Sequence, residues 1–374
     1  MNKIWNYQNP VSINFGEGIF EKIHQFIGGR NYALITYPDD QFTSYTRSLI
    51  KTSGRPALLI NDIAPNPDFE LLSVQAKLYS KIKNKPEVIV ALGGGSVIDS
   101  AKVFSAAENG FGNIKNFLET KKGWQDLSST PIIAVPSTSG TGSEVTCWAT
   151  IWDKQNSRKY SLAHEKLFPE IALIDPKLMM GKSYELTLVT ALDALSHALE
   201  SIWNVNANTI SANHATFAAK SILKVLPKLL NDLTNIHLRT EMASASLSAG
   251  LAFSSTKTAI AHNLSYPITL GWGVPHGIAC SFTLPTILKS VVGIGGFREE
   301  SLEEIFGDNL TKAADNLKIY LERFNIGTTF LELGIPNEKS KKIIDEAFTG
   351  ERGLNFIGSK ENFLKAADSY GLLH

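Results

Sequence analysis

Four side chains in the second half of the chain have the types and spacing to hold a metal ion. Asp193 and His197 stand in Ala191-Leu-Asp-Ala-Leu-Ser-His-Ala-Leu-Glu200, a run with a strong helical pattern. A separation of four residues puts a carboxylate and an imidazole on one helix face, roughly 6 Å apart along the axis. His262 and His276 follow in Ala261-His-Asn-Leu-Ser-Tyr-Pro-Ile-Thr-Leu-Gly-Trp-Gly-Val-Pro-His-Gly277. Pro267, Gly271 and Gly273 lie between them, so the chain is expected to turn there and let both rings converge. Three imidazoles and one carboxylate suit a divalent first-row ion, Fe(II) or Zn(II). A D-x-x-x-H pair alone is common on helices, and a lone histidine is more often a core residue. The metal reading therefore leans on a second constellation.

That constellation is Val88-Ile-Val-Ala-Leu-Gly-Gly-Gly-Ser-Val-Ile-Asp-Ser-Ala-Lys102, which reads as strand, glycine turn and helix. Gly93, Gly94 and Gly95 allow close backbone approach to an anion, and the N-terminus of the following helix favours one. Ser96 is placed to cap that helix and to donate to a phosphate. Neither the G-x-G-x-x-G fingerprint nor a Walker loop is present. A second loop, Val135-Pro-Ser-Thr-Ser-Gly-Thr-Gly-Ser-Glu144, leaves the next strand. In open α/β sheets ligands bind at such strand ends, and its hydroxyls suit ribose, phosphate or a nicotinamide amide.

The elements that must position these groups follow from periodicity. Strand-like runs at 32–36, 57–60, 88–92, 131–136 and 170–175 alternate with helical patterns such as 69–83 and 97–108. That alternation predicts a doubly wound, Rossmann-like parallel sheet. After Asp175-Pro176 strand signals nearly vanish. Helical patterns follow at 186–203, 208–230, 235–252, 297–306, 310–325 and 359–370. The reading is an α/β domain over 1–181 and an all-α domain over 182–374, with the boundary near 178–186.

Composition narrows the function classes. Of 374 residues, 43% are hydrophobic and 19% charged, a globular balance with room for two cores. Thirty-six basic residues match 36 acidic ones, so no net field draws the chain to nucleic acid or an anionic membrane. Two cysteines exclude a disulfide scaffold and suit a reducing compartment, the cytoplasm. No apolar run reaches the roughly 18 residues of a membrane span.

Taken in order and spacing, these segments resemble the iron-dependent (group III) alcohol dehydrogenases over nearly the whole length. The resemblance begins at Asn9-Pro-Val-Ser-Ile-Asn-Phe-Gly-Glu-Gly18, passes through the two glycine loops, and continues to Asp175-Pro-Lys-Leu178 and the Asp193/His197/His262/His276 set. It implies that those four are the metal ligands and that Gly93, Gly94, Gly95 and Ser96 cradle the pyrophosphate of NADH or NADPH. It also implies cofactor contacts from Asp99, Thr138, Ser139 and Thr141, with Leu178 packed nearby. The implied protein is a homo-oligomer, a dimer, that converts an aldehyde and a primary alcohol into one another. Glycerol dehydrogenases and dehydroquinate synthases share the architecture but bind zinc through fewer histidines. A nucleotide-binding protein without metal is disfavoured because all four ligands are present.

Two departures stand out. Tyr266 occupies the place where many members carry a further histidine thought to relay a proton; a phenol, with a reference pKa of about 10, is a different relay. In Tyr37-Pro-Asp-Asp40, Pro38 aligns where many NAD-preferring members are acidic, with Asp39 adjacent, so the choice of NAD or NADP is open. Flanking segments such as Thr150-Ile-Trp-Asp153 and Glu200-Ser-Ile-Trp-Asn204 are similar to the phosphonoacetaldehyde reductases, which make 2-hydroxyethylphosphonate. General short-chain aldehydes, butanal or lactaldehyde, are the alternative substrates. A phosphonate needs cations, and Lys257, Arg158 and Lys159 are the candidates. If 254–262 is helical, Lys257 lies about a turn and a half from His262.

Overall fold

The computed structural model describes residues 4–153, 155–156 and 158–373, with Arg158 described by its backbone alone. Eight strands are present among these residues: β1 (Ser12–Phe15), β2 (Tyr32–Thr36), β3 (Leu58–Ile60), β4 (Val88–Gly93), β5 (Ile132–Pro136), β6 (Trp148–Asp153), β7 (Arg158–Ala163) and β8 (Ile171–Ile174). Six form one parallel sheet in the order β1-β8-β5-β4-β2-β3.

The central strands are apolar throughout because both faces are covered, the expected pattern for a parallel sheet. Side chains alternate between the faces with period two. Ala33, Ile35, Ile89, Ala91, Ile132 and Ala134 join one core, with residues of helices Phe69–Lys81, Gly95–Ala106 and Phe111–Thr120. Tyr32, Leu34, Val88, Val90, Leu92, Ile133 and Val135 join the other, with residues of helices Ile23–Ile27 and Asp40–Ser53. The doubly wound sheet is therefore present. β6 and β7 add an antiparallel hairpin that the alternation of strands and helices did not announce.

The chain forms two compact units. Pro10–Lys182 with Thr234–Ala243 makes the α/β unit; Met1–Asn9, Ser183–Leu233 and Ser244–His374 make the helical one. The sequence reading placed 1–9 with the first domain and 234–243 with the second, whereas here they fall on the opposite sides. Within the helical unit Tyr7 explains part of this: its hydroxyl donates to the Leu251 carbonyl (3.3 Å) and its ring stacks on His214.

Helices Tyr184–Ile202, Thr209–Asn231 and Ile260–Trp272 form the heart of the helical unit. The first is buried on nearly every side over its last twelve residues, so even its polar stripe of Asp193, Ser196, His197 and Glu200 lies inside the unit. Helix Ile260–Trp272 runs through Pro267 without stopping. The turn comes at Gly273, whose φ of 67° is the left-handed C-cap that glycine serves. Helix His276–Ser281 starts directly afterwards.

Candidate metal and cofactor sites

Asp193 and His197 lie one turn apart on helix Tyr184–Ile202, both buried. His262 sits in the first turn of helix Ile260–Trp272, and His276 opens helix His276–Ser281. All three imidazoles point an Nε2 at one oxygen, Asp193 Oδ1: His262 at 3.4 Å, His197 at 3.8 Å and His276 at 4.0 Å. The close approach of the last helix depends on Gly277, where a Cβ would overlap the Val189 carbonyl on helix Tyr184–Ile202. His276 keeps 27% of its side chain exposed against 2–7% for the other three, so the cluster opens on its side.

The donor atoms fit a metal. Asp193 Oδ1 and His262 Nε2 are buried and make no hydrogen bond, a costly state for polar groups unless an ion lies between them. Burial alone pushes the Asp193 carboxyl up, yet the facing histidines outweigh it and hold it well below the usual carboxylate range. His262 behaves conversely: burial pushes it down, while Cys280, Glu200 and Asp193 raise it well above its ordinary value. A proton and a cation thus compete for the same buried nitrogen.

Two residues that sequence reasoning passed over belong here. Glu200, fully buried, accepts from the His262 ring Nδ1 at 2.5 Å and from the Ala261 and His262 amides at 2.5 and 3.3 Å. An ionised carboxylate there fixes the Nδ1–H tautomer and leaves the Nε2 lone pair facing the cluster. Its spacing of seven from Asp193 on one helix face was the signal available. Cys280, one turn after His276, places its donor atom within 4.8 Å of those of Asp193, His262 and His276. His197 is held between two rings, Phe253 at 4.0 Å and His262 at 4.5 Å.

The glycine loop departs from expectation in detail. None of the three glycines has positive φ, so the backbone does not require glycine; close approach does. A Cβ on Gly93 would sit 2.5 Å from Val97 and one on Gly95 2.6 Å from Thr141. On Gly94 it would have more room, with the Tyr37 hydroxyl at 3.3 Å and Thr138 Oγ1 at 3.4 Å as its nearest neighbours. Gly94, not Ser96, is the N-cap of helix Gly95–Ala106, and no side chain caps that terminus. The Val97 amide donates to the Gly94 carbonyl (3.0 Å), which leaves the Gly95 and Ser96 amides for an anion. Ser96 lies inside the helix, where its Oγ accepts from the Asn66 amide (3.1 Å).

The remaining expected cofactor residues fall into two groups. Thr138 and Thr141 stand over the glycines and are partly exposed. Ser139 is nearly buried with its hydroxyl on the Met179 sulfur, and Leu178 is packed into the sheet core. Asp99 is engaged structurally: it accepts from Ser143 Oγ (2.5 Å) and the Thr150 amide (2.8 Å). Fully buried Lys102, 3.8 Å away, donates to the Ser143 and Trp148 carbonyls, both at 2.8 Å. Asp39 accepts from the Phe42 amide as the N-cap of helix Asp40–Ser53.

The cation expectations need correction. Helix Ile236–Thr256 ends before Lys257, and the next helix begins only at Ile260. Lys257 itself takes the left-handed conformation, φ 62°, so the helical path assumed between it and His262 does not exist. Its side chain is 55% exposed, with its ammonium 3.9 Å from Glu351. The ammonium of Lys159 lies over the Trp152 ring at 5.5 Å, and the Arg158 side chain is outside the described residues. Tyr266, one turn after His262, stacks parallel to His276 with centroids 6.0 Å apart.

Comparison with known proteins points one way. A family profile described as iron-containing alcohol dehydrogenase matches residues 10–176. One described as the Fe-containing alcohol dehydrogenase family, C-terminal, matches residues 187–361. An NAD-dependent methanol dehydrogenase of Bacillus methanolicus is 30% identical over 271 residues, 70% of this chain and 71% of its own length. A phosphonoacetaldehyde reductase of Streptomyces viridochromogenes is 31% identical over 63% of this chain and 60% of its own. Among solved structures, a sulfoacetaldehyde reductase from Bifidobacterium kashiwanohense in complex with NAD+ superposes with a TM-score of 0.89. It is 28% identical and covers 100% of this chain and 99% of its own. No helix among the described residues is long and apolar enough to cross a membrane.

Proposed function

Because the chain belongs to the iron-containing alcohol dehydrogenase family, and so is an NAD(P)-linked oxidoreductase of alcohols and aldehydes, we propose that its substrate is a two-carbon aldehyde bearing a strong acid. Phosphonoacetaldehyde, reduced to 2-hydroxyethylphosphonate, is the first candidate. The observation that carries this reading is an agreement between sequence and fold comparisons: one relative reduces phosphonoacetaldehyde and the other sulfoacetaldehyde. Both compounds join a reducible carbonyl to an anionic tetrahedral head through one carbon.

Asp193, His197, His262 and His276 would hold the metal. When bound, it supplies a Lewis acid for the substrate oxygen. The chain's own residues prepare that site. Glu200 holds the His262 proton on Nδ1, and the facing imidazoles keep Asp193 ionised. Phe253 covers His197 and keeps water off it. Tyr266, stacked on His276 at the open side, would donate from its hydroxyl the proton that the product alcohol gains. The Gly95 and Ser96 amides, with Thr138 and Thr141 above, would bind the cofactor phosphates.

The test is a panel of phosphonoacetaldehyde, sulfoacetaldehyde, butanal and lactaldehyde, each with NADH and NADPH. The acid-bearing aldehydes should give the highest kcat/KM. A preference for butanal would retire the acid-bearing substrate and leave the family's general activity.

A further inference from the structure

We infer that Arg352 binds the acid group of the substrate, an inference that rests on the acid-bearing aldehyde proposed above. Its guanidinium carbon lies 5.6 Å from the centroid of the Tyr266 ring. That ring lies parallel to His276, 11° between planes and 6.0 Å between centroids. Guanidinium, phenol and imidazole thus form a series that ends in the metal cluster. The series leaves the cluster on the His276 side, where it is most exposed. A substrate whose carbonyl is at the cluster would direct its far end along Tyr266 toward Arg352.

The loop that carries Arg352 is fixed. One η nitrogen of Arg352 donates to Thr258 Oγ1, and Asn355 Nδ2 donates to the Thr258 carbonyl at 2.9 Å. Asn263, the neighbour of His262, donates to the Ala347 carbonyl at 2.6 Å. A Cβ on Gly350 would meet Asn263 Nδ2 at 2.5 Å, and one on Gly353 would overlap the Ala347 carbonyl. Gly350 therefore lets the loop lie close against the helix that bears both His262 and Tyr266, and Gly353 lets it close on helix Asn337–Thr349. Such a group loses little freedom when it binds.

The chemistry of the side chain matches. A guanidinium presents five N–H donors in a plane, and the Thr258 bond uses one. The fork fits two oxygens of a phosphonate or sulfonate, which a point-charge ammonium does not reproduce. Lys257, paired with Glu351 in solvent, offers no comparable site.

Arg352→Met and Arg352→Lys test the assignment against phosphonoacetaldehyde, sulfoacetaldehyde and propanal. Ethylphosphonate, which carries the acid but cannot be reduced, serves as a competitive inhibitor. Arg352→Met should raise KM for both acid-bearing aldehydes, and Ki for ethylphosphonate, by roughly 10- to 100-fold. kcat/KM for propanal should stay within about threefold, with metal content and thermal midpoint retained. Arg352→Lys should recover part of the affinity. Equal losses on propanal and the acid-bearing aldehydes would overturn the inference, as would an unchanged Ki for ethylphosphonate in a wild-type enzyme that prefers acids. A wild-type enzyme with no such preference and no inhibition by ethylphosphonate would overturn both this inference and the substrate reading.

Discussion

Glu200→Gln should weaken metal binding without altering any ligand. The Glu200 carboxylate is fully buried and takes three donors: two backbone amides on Oε1 and the His262 ring on Oε2. A glutamine keeps one acceptor oxygen, which the amides will claim. Its NH2 group then faces His262 Nδ1 and must donate to it. The imidazole proton is driven to Nε2, the atom 3.4 Å from Asp193 Oδ1. A ligand nitrogen is thereby blocked by its own hydrogen until the tautomer is restored. Loss of such a supporting carboxylate costs about 10- to 100-fold in metal affinity, equivalent to roughly 1.4–2.7 kcal/mol. The assay is competition for Co(II) or Zn(II) against a chromophoric chelator, with circular dichroism to verify the fold. A folded Gln variant that binds metal as tightly as wild type would refute the reasoning.

Three further outcomes follow from the geometry. Gly277→Ala places a methyl group on the Val189 carbonyl. It should lower stability by about 1–3 kcal/mol through overpacking, seen as a lower thermal midpoint, and reduce bound metal because His276 is pushed away from Asp193. Gly94→Val should cut affinity for NADH and NADPH at least roughly tenfold while leaving metal bound; isothermal titration with both cofactors checks it, and unchanged affinity would move the phosphate site elsewhere. Glu144 is buried, and burial raises its carboxyl from 4.5 to about 7. The folded state binds that proton more tightly than the unfolded chain does, so its contribution is full below pH 4.5 and lost as pH rises through about 7. Glu144→Gln should flatten the pH dependence of chemical denaturation between pH 5 and 8, seen as a rise in relative stability above pH 7; an unchanged profile would show that Glu144 does not titrate there.

What could be read from the sequence had a local signature. The short continuous apolar runs gave the sheet, because strands covered on both faces have no polar side to alternate with. Asp193 and His197 share a helix face by spacing alone, and that helix forms as expected. Features set by tertiary contact were hidden. Helix Ile236–Thr256 is followed by a left-handed residue, but the residue is Lys257, not the glycine that usually announces such a turn. Pro267 read as a break, yet the helix continues past it to Gly273. Ser96 looked like a cap because its type suits one; the chain enters the helix earlier, at Gly94. Arg352 is distant in sequence from His276 and meets the Tyr266 ring only through a folded loop.

The central claim is that Asp193, His197, His262 and His276 hold one catalytic metal ion. Elemental analysis of wild-type protein and of His276→Ala, each loaded anaerobically with Fe(II) and freed of excess, tests it most directly. His276 contributes the most exposed ring of the four, so the variant should fold. The account predicts near-stoichiometric metal in wild type, little in the variant, and loss of aldehyde reduction with it. A folded variant that keeps the wild-type metal content would contradict the account.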